Sequence, residues 1–278
     1  MLNTASKIYA LLFLVFFIAG CATIPLASDR YLTADKVATV NGFNKDYIKS
    51  GNFILTSYCR LKNKGTPIHI YIEGDGVSWI SRTRLSDDPT PREPLVLELA
   101  SMDDAENVAY LARPGQYCRN DEPNCDIAYW SDKRFSEEVI DAVNKAMDIL
   151  RDRSDAKEID LIGYSGGAAI AVLAASRRHD IASIRTIAGN LDTEAVNSYH
   201  KVSQMERSLN PIDEVQKLSK IRIHHFVGSE DKVVPFFITE RFAKKAGDIN
   251  LSTITVVDGV SHSRGWKERW KDLLKIPL

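Results

Sequence analysis

Ser165 stands in the run Gly163-Tyr164-Ser165-Gly166-Gly167, with one glycine two residues before it and another two residues after it. A serine hydroxyl attacks a carbonyl only when a base takes its proton, so Ser165 becomes useful beside a histidine that an acid orients. The G-x-S-x-G spacing suits a sharp turn from strand to helix. The serine there holds a strained backbone, and its small neighbours let the chain pass closely. The flanks agree: residues 159–162 are a short apolar run of the length of a buried strand, and 168–175 are small residues suited to a helix packed on a sheet. That helix would aim its free N–H groups and positive dipole end at Ser165.

The partners are expected downstream, in the order serine, acid, histidine. Asp231 lies in G-S-E-D-K-V-V-P at 228–235, just past an apolar run at 221–227. Its place before V-V-P favours it over the neighbouring Glu230. His262 ends D-G-V-S-H at 258–262, on the loop after the last apolar run, 252–257. Of the other histidines, His69, His224 and His225 sit inside strand-like runs, and His179 and His200 lie in segments without a motif. His262 is therefore the expected general base. A tetrahedral oxyanion needs two donors. The N–H of Gly166 supplies one, and the loop Glu73-Gly74-Asp75-Gly76 after the strand at 68–72 supplies the other, through Asp75 or, one residue on, Gly76.

The elements that must position these groups follow from pattern. The spacing predicts an antiparallel edge strand over 53–61 and a helix over 95–102. A strand is predicted over 107–112 and an amphipathic helix over 136–150, with Ser136 as N-cap and Val139, Val143, Ala146 and Leu150 as apolar face. A strand at 184–188, a helix at 236–246 and a closing helix at 266–275 complete an alternating α/β order. The insert 189–220 has room for a modest lid and not for a separate cap domain. Trp79, Tyr117, Tyr129 and Trp130 lie on loops that leave the C-terminal ends of strands, where ligands bind in open α/β sheets. They can wall a substrate or hold the loops down.

The chain has 278 residues, enough for one α/β domain, and its 36 basic and 37 acidic residues nearly cancel. No basic stripe supports nucleic-acid binding. The N-terminus reads as an export signal: Lys7, an apolar run over 8–18 too short for a comfortable membrane span, then Ala19-Gly20. Residues 18–21, Ile-Ala-Gly-Cys, resemble the bacterial lipoprotein lipobox. That resemblance implies cleavage before Cys21 and its acylation, hence a membrane anchor. The division is then 1–20 signal peptide, 21–46 lipidated cysteine and polar tether, and 47–278 domain. Ala22, where aspartate would favour inner-membrane retention, points to the outer membrane. Export permits a disulfide, and Cys118 and Cys125, flanking R-N-D-E-P-N, are the expected pair. Cys59 is expected to be a buried free thiol. No second cysteine or histidine stands at zinc-ligand spacing near that pair.

E-G-D-G, G-Y-S-G-G, G-S-E-D-K-V-V-P and V-S-H, in this order from about Phe53 onward, resemble the α/β-hydrolase family. The overall texture is similar to α/β-hydrolase lipoproteins of Gram-negative bacteria. The resemblance implies an α/β fold, with a mostly parallel central sheet flanked by helices and little or no cap. It implies Ser165 as nucleophile, Asp231 as acid and His262 as base. The chemistry would be hydrolysis of an acyl bond, a carboxylic ester by base rate, in a small-molecule or lipid-like substrate, without metal or organic cofactor. One departure is that Glu73-Gly74 stands where many lipases have His-Gly. The backbone donors survive it, but it weakens a lipase assignment. The alternative is a non-catalytic envelope lipoprotein that keeps the scaffold to bind a partner.

Overall fold

Ile68-His69-Ile70-Tyr71-Ile72 turns its isoleucines to one side of a strand and Tyr71 to the other. Ile68, Ile70, Tyr71 and Ile72 are all fully buried, so this strand needs cover on both faces. The computed structural model, which describes residues 24–118, 125–247 and 252–278, supplies it. Eight strands form one sheet: β1 (Asn44–Ser50), β2 (Phe53–Leu61), β3 (Ile68–Ile72), β4 (Asn107–Leu111), β5 (Ile159–Tyr164), β6 (Ile181–Ile187), β7 (Arg222–Gly228) and β8 (Ser252–Val257). Their order across the sheet is β1-β2-β4-β3-β5-β6-β7-β8. β2 is antiparallel to both of its neighbours, and all other pairings are parallel.

Among the described residues seven α-helices accompany the sheet: α1 (Ala27–Val40), α2 (Leu95–Ser101), α3 (Glu137–Ser154), α4 (Gly166–Ala175), α5 (Thr193–His200), α6 (Phe236–Ala246) and α7 (Trp266–Leu274). One face of the sheet packs on α3, α4 and α6 through Val143, Met147, Ile170 and Phe242. The other packs on α1, α2 and α7 through Ala34, Leu97, Trp266 and Trp270. Every residue of α4 is buried, as its small-residue composition suggests. Among the described residues no helix is long and apolar enough to cross a membrane.

The N-terminal tether expected over 21–46 needs correction. Residues 27–40 form α1, and β1 begins at Asn44 and pairs along its length with β2. α1 belongs to the fold because Ala34 and Ala38 lie flat on the tyrosine-rich sheet face. The Asp35 carboxylate accepts the Tyr58 hydroxyl at 2.6 Å, and the Tyr31 hydroxyl donates to Asp88 Oδ2 at 2.8 Å. The Arg30 guanidinium donates to the carbonyl of Thr90. The antiparallel edge is consequently β1 rather than β2. The signal segment and Cys21 lie outside the described residues.

The remaining differences are small. The strand predicted over 184–188 begins three residues earlier, at Ile181, and the helix predicted over 136–150 continues to Ser154. Ser136 precedes that helix, but its hydroxyl makes no capping bond. The insert between β6 and β7 holds α5 and a 3-10 segment, Pro211–Leu218. Cys118 and Cys125 form a disulfide, while Cys59 is a free thiol that is only half-buried. Tyr117 is buried in the core and Tyr129 packs edge-on against Phe53. The Trp130 indole donates to the Ser86 carbonyl at 2.9 Å. These three hold loops down, and only Trp79 of the four aromatics lines a large cavity.

Candidate active site

The turn from β5 into α4 puts Ser165 at φ 52° and ψ −117°, a region that costs an L-residue about 1–3 kcal/mol. Close packing holds it there. A Cβ on Gly163 would meet Ala168 Cα at 2.5 Å, and one on Gly167 would meet the Ile72 carbonyl oxygen at 2.2 Å and that of Glu73 at 2.5 Å. Backbone cannot yield as a flexible side chain can, so Gly167→Ala is expected to destabilise the fold by about 3 kcal/mol. Urea unfolding of the purified variant measures this. A loss below about 1 kcal/mol would mean that α4 can lift off β3 freely. The Ser165 N–H donates to the Ile187 carbonyl at 2.8 Å, and its carbonyl accepts the Asn190 N–H at 3.0 Å. The turn is thus tied to the end of β6.

Asp231 and His262 come from the two neighbouring strand ends. Gly228, at the end of β7, lies so close to the loop after β8 that a Cβ would stand 2.3 Å from the Val260 carbonyl oxygen. The Glu230 N–H donates to that same oxygen at 2.9 Å. Asp231 is buried, and its Oδ1 accepts the N–H groups of Val233 and Val234 at 2.8 and 2.9 Å. Its other oxygen, Oδ2, faces His262 Nδ1 at 2.8 Å. The His262 carbonyl accepts the Tyr164 hydroxyl at 3.0 Å and the Trp266 indole N–H at 2.9 Å. The imidazole so held places Nε2 3.1 Å from Ser165 Oγ. Glu230, the rival acid, is exposed to solvent.

Gly166 opens α4, where an N–H has no acceptor within its own helix. The facing loop is fastened from several sides. Glu73 Oε1 accepts the Gly74 N–H at 2.8 Å, and the Gly74 carbonyl accepts Gln116 Nε2 at 2.8 Å. The Asp75 carboxylate receives Arg113 Nη1 at 3.1 Å and Arg134 Nη1 at 2.8 Å. Burial opposes ionisation of Asp75, but the guanidiniums of Arg134 and Arg113 hold its carboxyl below the ordinary carboxylate range. Asp75 Oδ1 lies against Gly166, 2.0 Å from where a Cβ would be. Gly76 turns instead toward the Pro89 carbonyl. Arg113, Gln116 and Arg134 stand in no recognisable motif. Each is a loop residue whose partner lies more than twenty positions away.

Glu73 is fully buried under this loop, and burial pushes its carboxyl up from 4.5 to about 7. The Gly74 N–H, the Tyr110 hydroxyl and the charge of Arg113 pull the other way and do not overcome burial. A folded-state value above the unfolded one means stability is greatest below the ordinary carboxylate range and is lost as pH rises through about 7. Glu73→Gln carries no such charge. Its melting temperature relative to the native chain is therefore expected to rise by several degrees between pH 5 and pH 8. The full shift corresponds to about 3 kcal/mol. Thermal unfolding of both proteins at the two pH values tests this. A difference that stays constant or shrinks would show that Glu73 is ionised throughout.

Two cavities meet at Ser165. The larger, about 910 Å³, is lined by Trp79, Asn190, His200, Lys201, Met205 and Val233 among others. The second, about 600 Å³, is bordered by Leu95, Tyr164, His262 and Arg264. Both border Asp75 and Arg134. No group of histidine, cysteine, aspartate and glutamate side chains with metal-binding geometry occurs among the described residues. His224 and His225 are buried in β7, and burial pushes His225 down to about 3. His69 contacts Asp103 at 2.7 Å, away from the cavities.

No family model matches the chain, and no curated protein matches it. Solved structures do. Est1E from Butyrivibrio proteoclasticus is 14% identical with a TM-score of 0.60, over 83% of this chain and 96% of that one. A Pyrococcus furiosus esterase is 15% identical with a TM-score of 0.57, over 84% of this chain and 90% of that one. An acylaminoacyl peptidase from Pyrococcus horikoshii is 15% identical with a TM-score of 0.60, over 84% of this chain but only 40% of that one. The likeness is one of architecture: the chain has the α/β-hydrolase fold, a mostly parallel eight-stranded sheet covered by helices on both faces.

Proposed function

We propose that this protein is a serine hydrolase that cleaves a carboxylic ester through a covalent acyl-enzyme. The observation that carries the reading is the unbroken relay from Asp231 Oδ2 to His262 Nδ1 at 2.8 Å and from His262 Nε2 to Ser165 Oγ at 3.1 Å. Esterases and a peptidase among the structures of similar architecture support hydrolysis as the reaction class.

His262 Nε2 takes the Ser165 proton as Oγ bonds to the carbonyl carbon. The imidazolium is stabilised by the buried Asp231 carboxylate. The carbonyl oxygen becomes an oxyanion, held by the N–H groups of Gly166 and Asp75. The carboxylate of Asp75 would repel such a charge, but it is paired with Arg113 and Arg134. His262 then returns its proton to the leaving alcohol. A water, deprotonated by the same nitrogen, releases the acid and restores Ser165. A panel of p-nitrophenyl esters and peptide amides separates ester from amide hydrolysis. Turnover of esters alone is the expected result, and faster turnover of the amides would assign the protein to peptide bonds.

The same reading places the mature chain on a membrane through an acylated Cys21, facing the periplasm, at the outer membrane. Its support is the lipobox-like run at 18–21. An N-terminal mass lacking the acyl groups, from protein isolated from cell envelopes, would remove the anchor and leave the hydrolase reading intact.

A further inference from the structure

The larger cavity beside Ser165 has an unbalanced charge. Its two acids are already engaged, Asp75 by Arg113 and Arg134 and Asp132 by Arg207. Two of its three Arg and Lys side chains are not. Arg82 and Lys201 line it without a side-chain partner among the described residues, in a chain whose formal charge is −1.

Arg134 is the fixed member of the set. Its Nη1 is held by Asp75 at 2.8 Å and its Nε donates to Met205 Sδ at 2.9 Å. Arg113 Nη2 donates to its backbone carbonyl at 2.6 Å. Nη2 of Arg134 has no partner among the described residues, and the side chain lines both cavities. A guanidinium edge and two loose cations on one cavity match an anionic group that accepts hydrogen bonds.

We infer that the natural ester carries an anionic group that binds in the larger cavity, with Arg134 as its anchor and Arg82 and Lys201 drawing it in. The inference rests on the hydrolase reading and adds the substrate's charge. The group sits on either the acyl or the alcohol portion of the ester, and two pairs of substrates distinguish these. Mono-p-nitrophenyl glutarate against p-nitrophenyl valerate tests the acyl side with one leaving group. 4-Acetoxybenzoate against phenyl acetate tests the alcohol side.

In one of the two pairs the anionic ester should have the higher kcat/KM, by about tenfold at low salt, the scale of one charge-assisted hydrogen bond. That ratio should fall as ionic strength rises. It should fall again in the Arg82→Gln, Lys201→Gln double variant, whose altered side chains are exposed and not built into the core. Arg134→Gln should collapse the ratio further, with circular dichroism to show that the variant is folded. Hydrolysis of both pairs with the neutral ester equal or preferred in each would overturn the inference and leave the hydrolase reading standing. Failure to turn over any ester would remove that reading and the inference with it.

Discussion

Ser165→Ala is expected to lower kcat toward any accepted ester by about ten-thousandfold or more, with a melting temperature close to that of the native chain. The hydroxyl 3.1 Å from His262 Nε2 is the only nucleophile that the relay activates, and alanine removes it while leaving the turn and its glycine contacts in place. The residual rate should not fall to that of water, since the donors of Gly166 and the 73–76 loop still polarise a bound carbonyl. In enzymes that use this relay such donors and binding retain about 10³–10⁴ of the acceleration. Initial rates on the ester panel, with a thermal melt of the same sample, measure both quantities. A loss of only a few fold would mean that some other group, or a bound water, attacks the carbonyl.

Asp231→Asn should be nearly as severe, for a reason that the local hydrogen bonds make specific. Asp231 Oδ1 accepts two backbone N–H groups, from Val233 and Val234, at 2.8 and 2.9 Å. An asparagine must keep its carbonyl oxygen there, because its NH₂ cannot accept. The NH₂ is then turned toward His262 Nδ1, which lies 2.8 Å from Oδ2 in the native chain. An imidazole facing a donor keeps its proton on Nε2, the atom that must accept from Ser165. The shape survives and the tautomer is wrong. kcat near pH 7 should fall by about ten-thousandfold. An Asp231→Asn variant with more than a tenth of native activity would show that Asp231 does not set the tautomer of His262.

What the sequence made legible follows from the range over which each signal acts. The Ser165 turn is local: five residues and their apolar flanks define it, and the close approaches of Gly163 and Gly167 to backbone explain why those positions are small. Asp231 and His262 could be chosen because each follows a strand, the adjacent Glu230 being set aside by the place of Asp231 before V-V-P and the other histidines lying in strand-like runs or segments without a motif. α1 escaped because its buried face is two alanines, Ala34 and Ala38, which give no apolar stripe, and its anchoring runs through Arg30, Tyr31 and Asp35 to distant partners. The same limit hid the role of Asp75. Its backbone was of interest for its N–H, but its carboxylate organises Arg113 and Arg134, which lie thirty-eight and fifty-nine positions further along the chain. Tyr117, Tyr129 and Trp130 were ambiguous between substrate wall and packing, and burial assigned them to packing.

The most direct test of Ser165 as the attacking group is to treat the folded protein with a fluorophosphonate probe and locate the adduct by tandem mass spectrometry of its peptides. The expected result is one phosphonyl group per chain on Ser165, absent from Ser165→Ala and formed far more slowly on Asp231→Asn. A folded, intact protein that takes up no probe, or carries it on another residue, would contradict the assignment of Ser165, His262 and Asp231 as a catalytic relay.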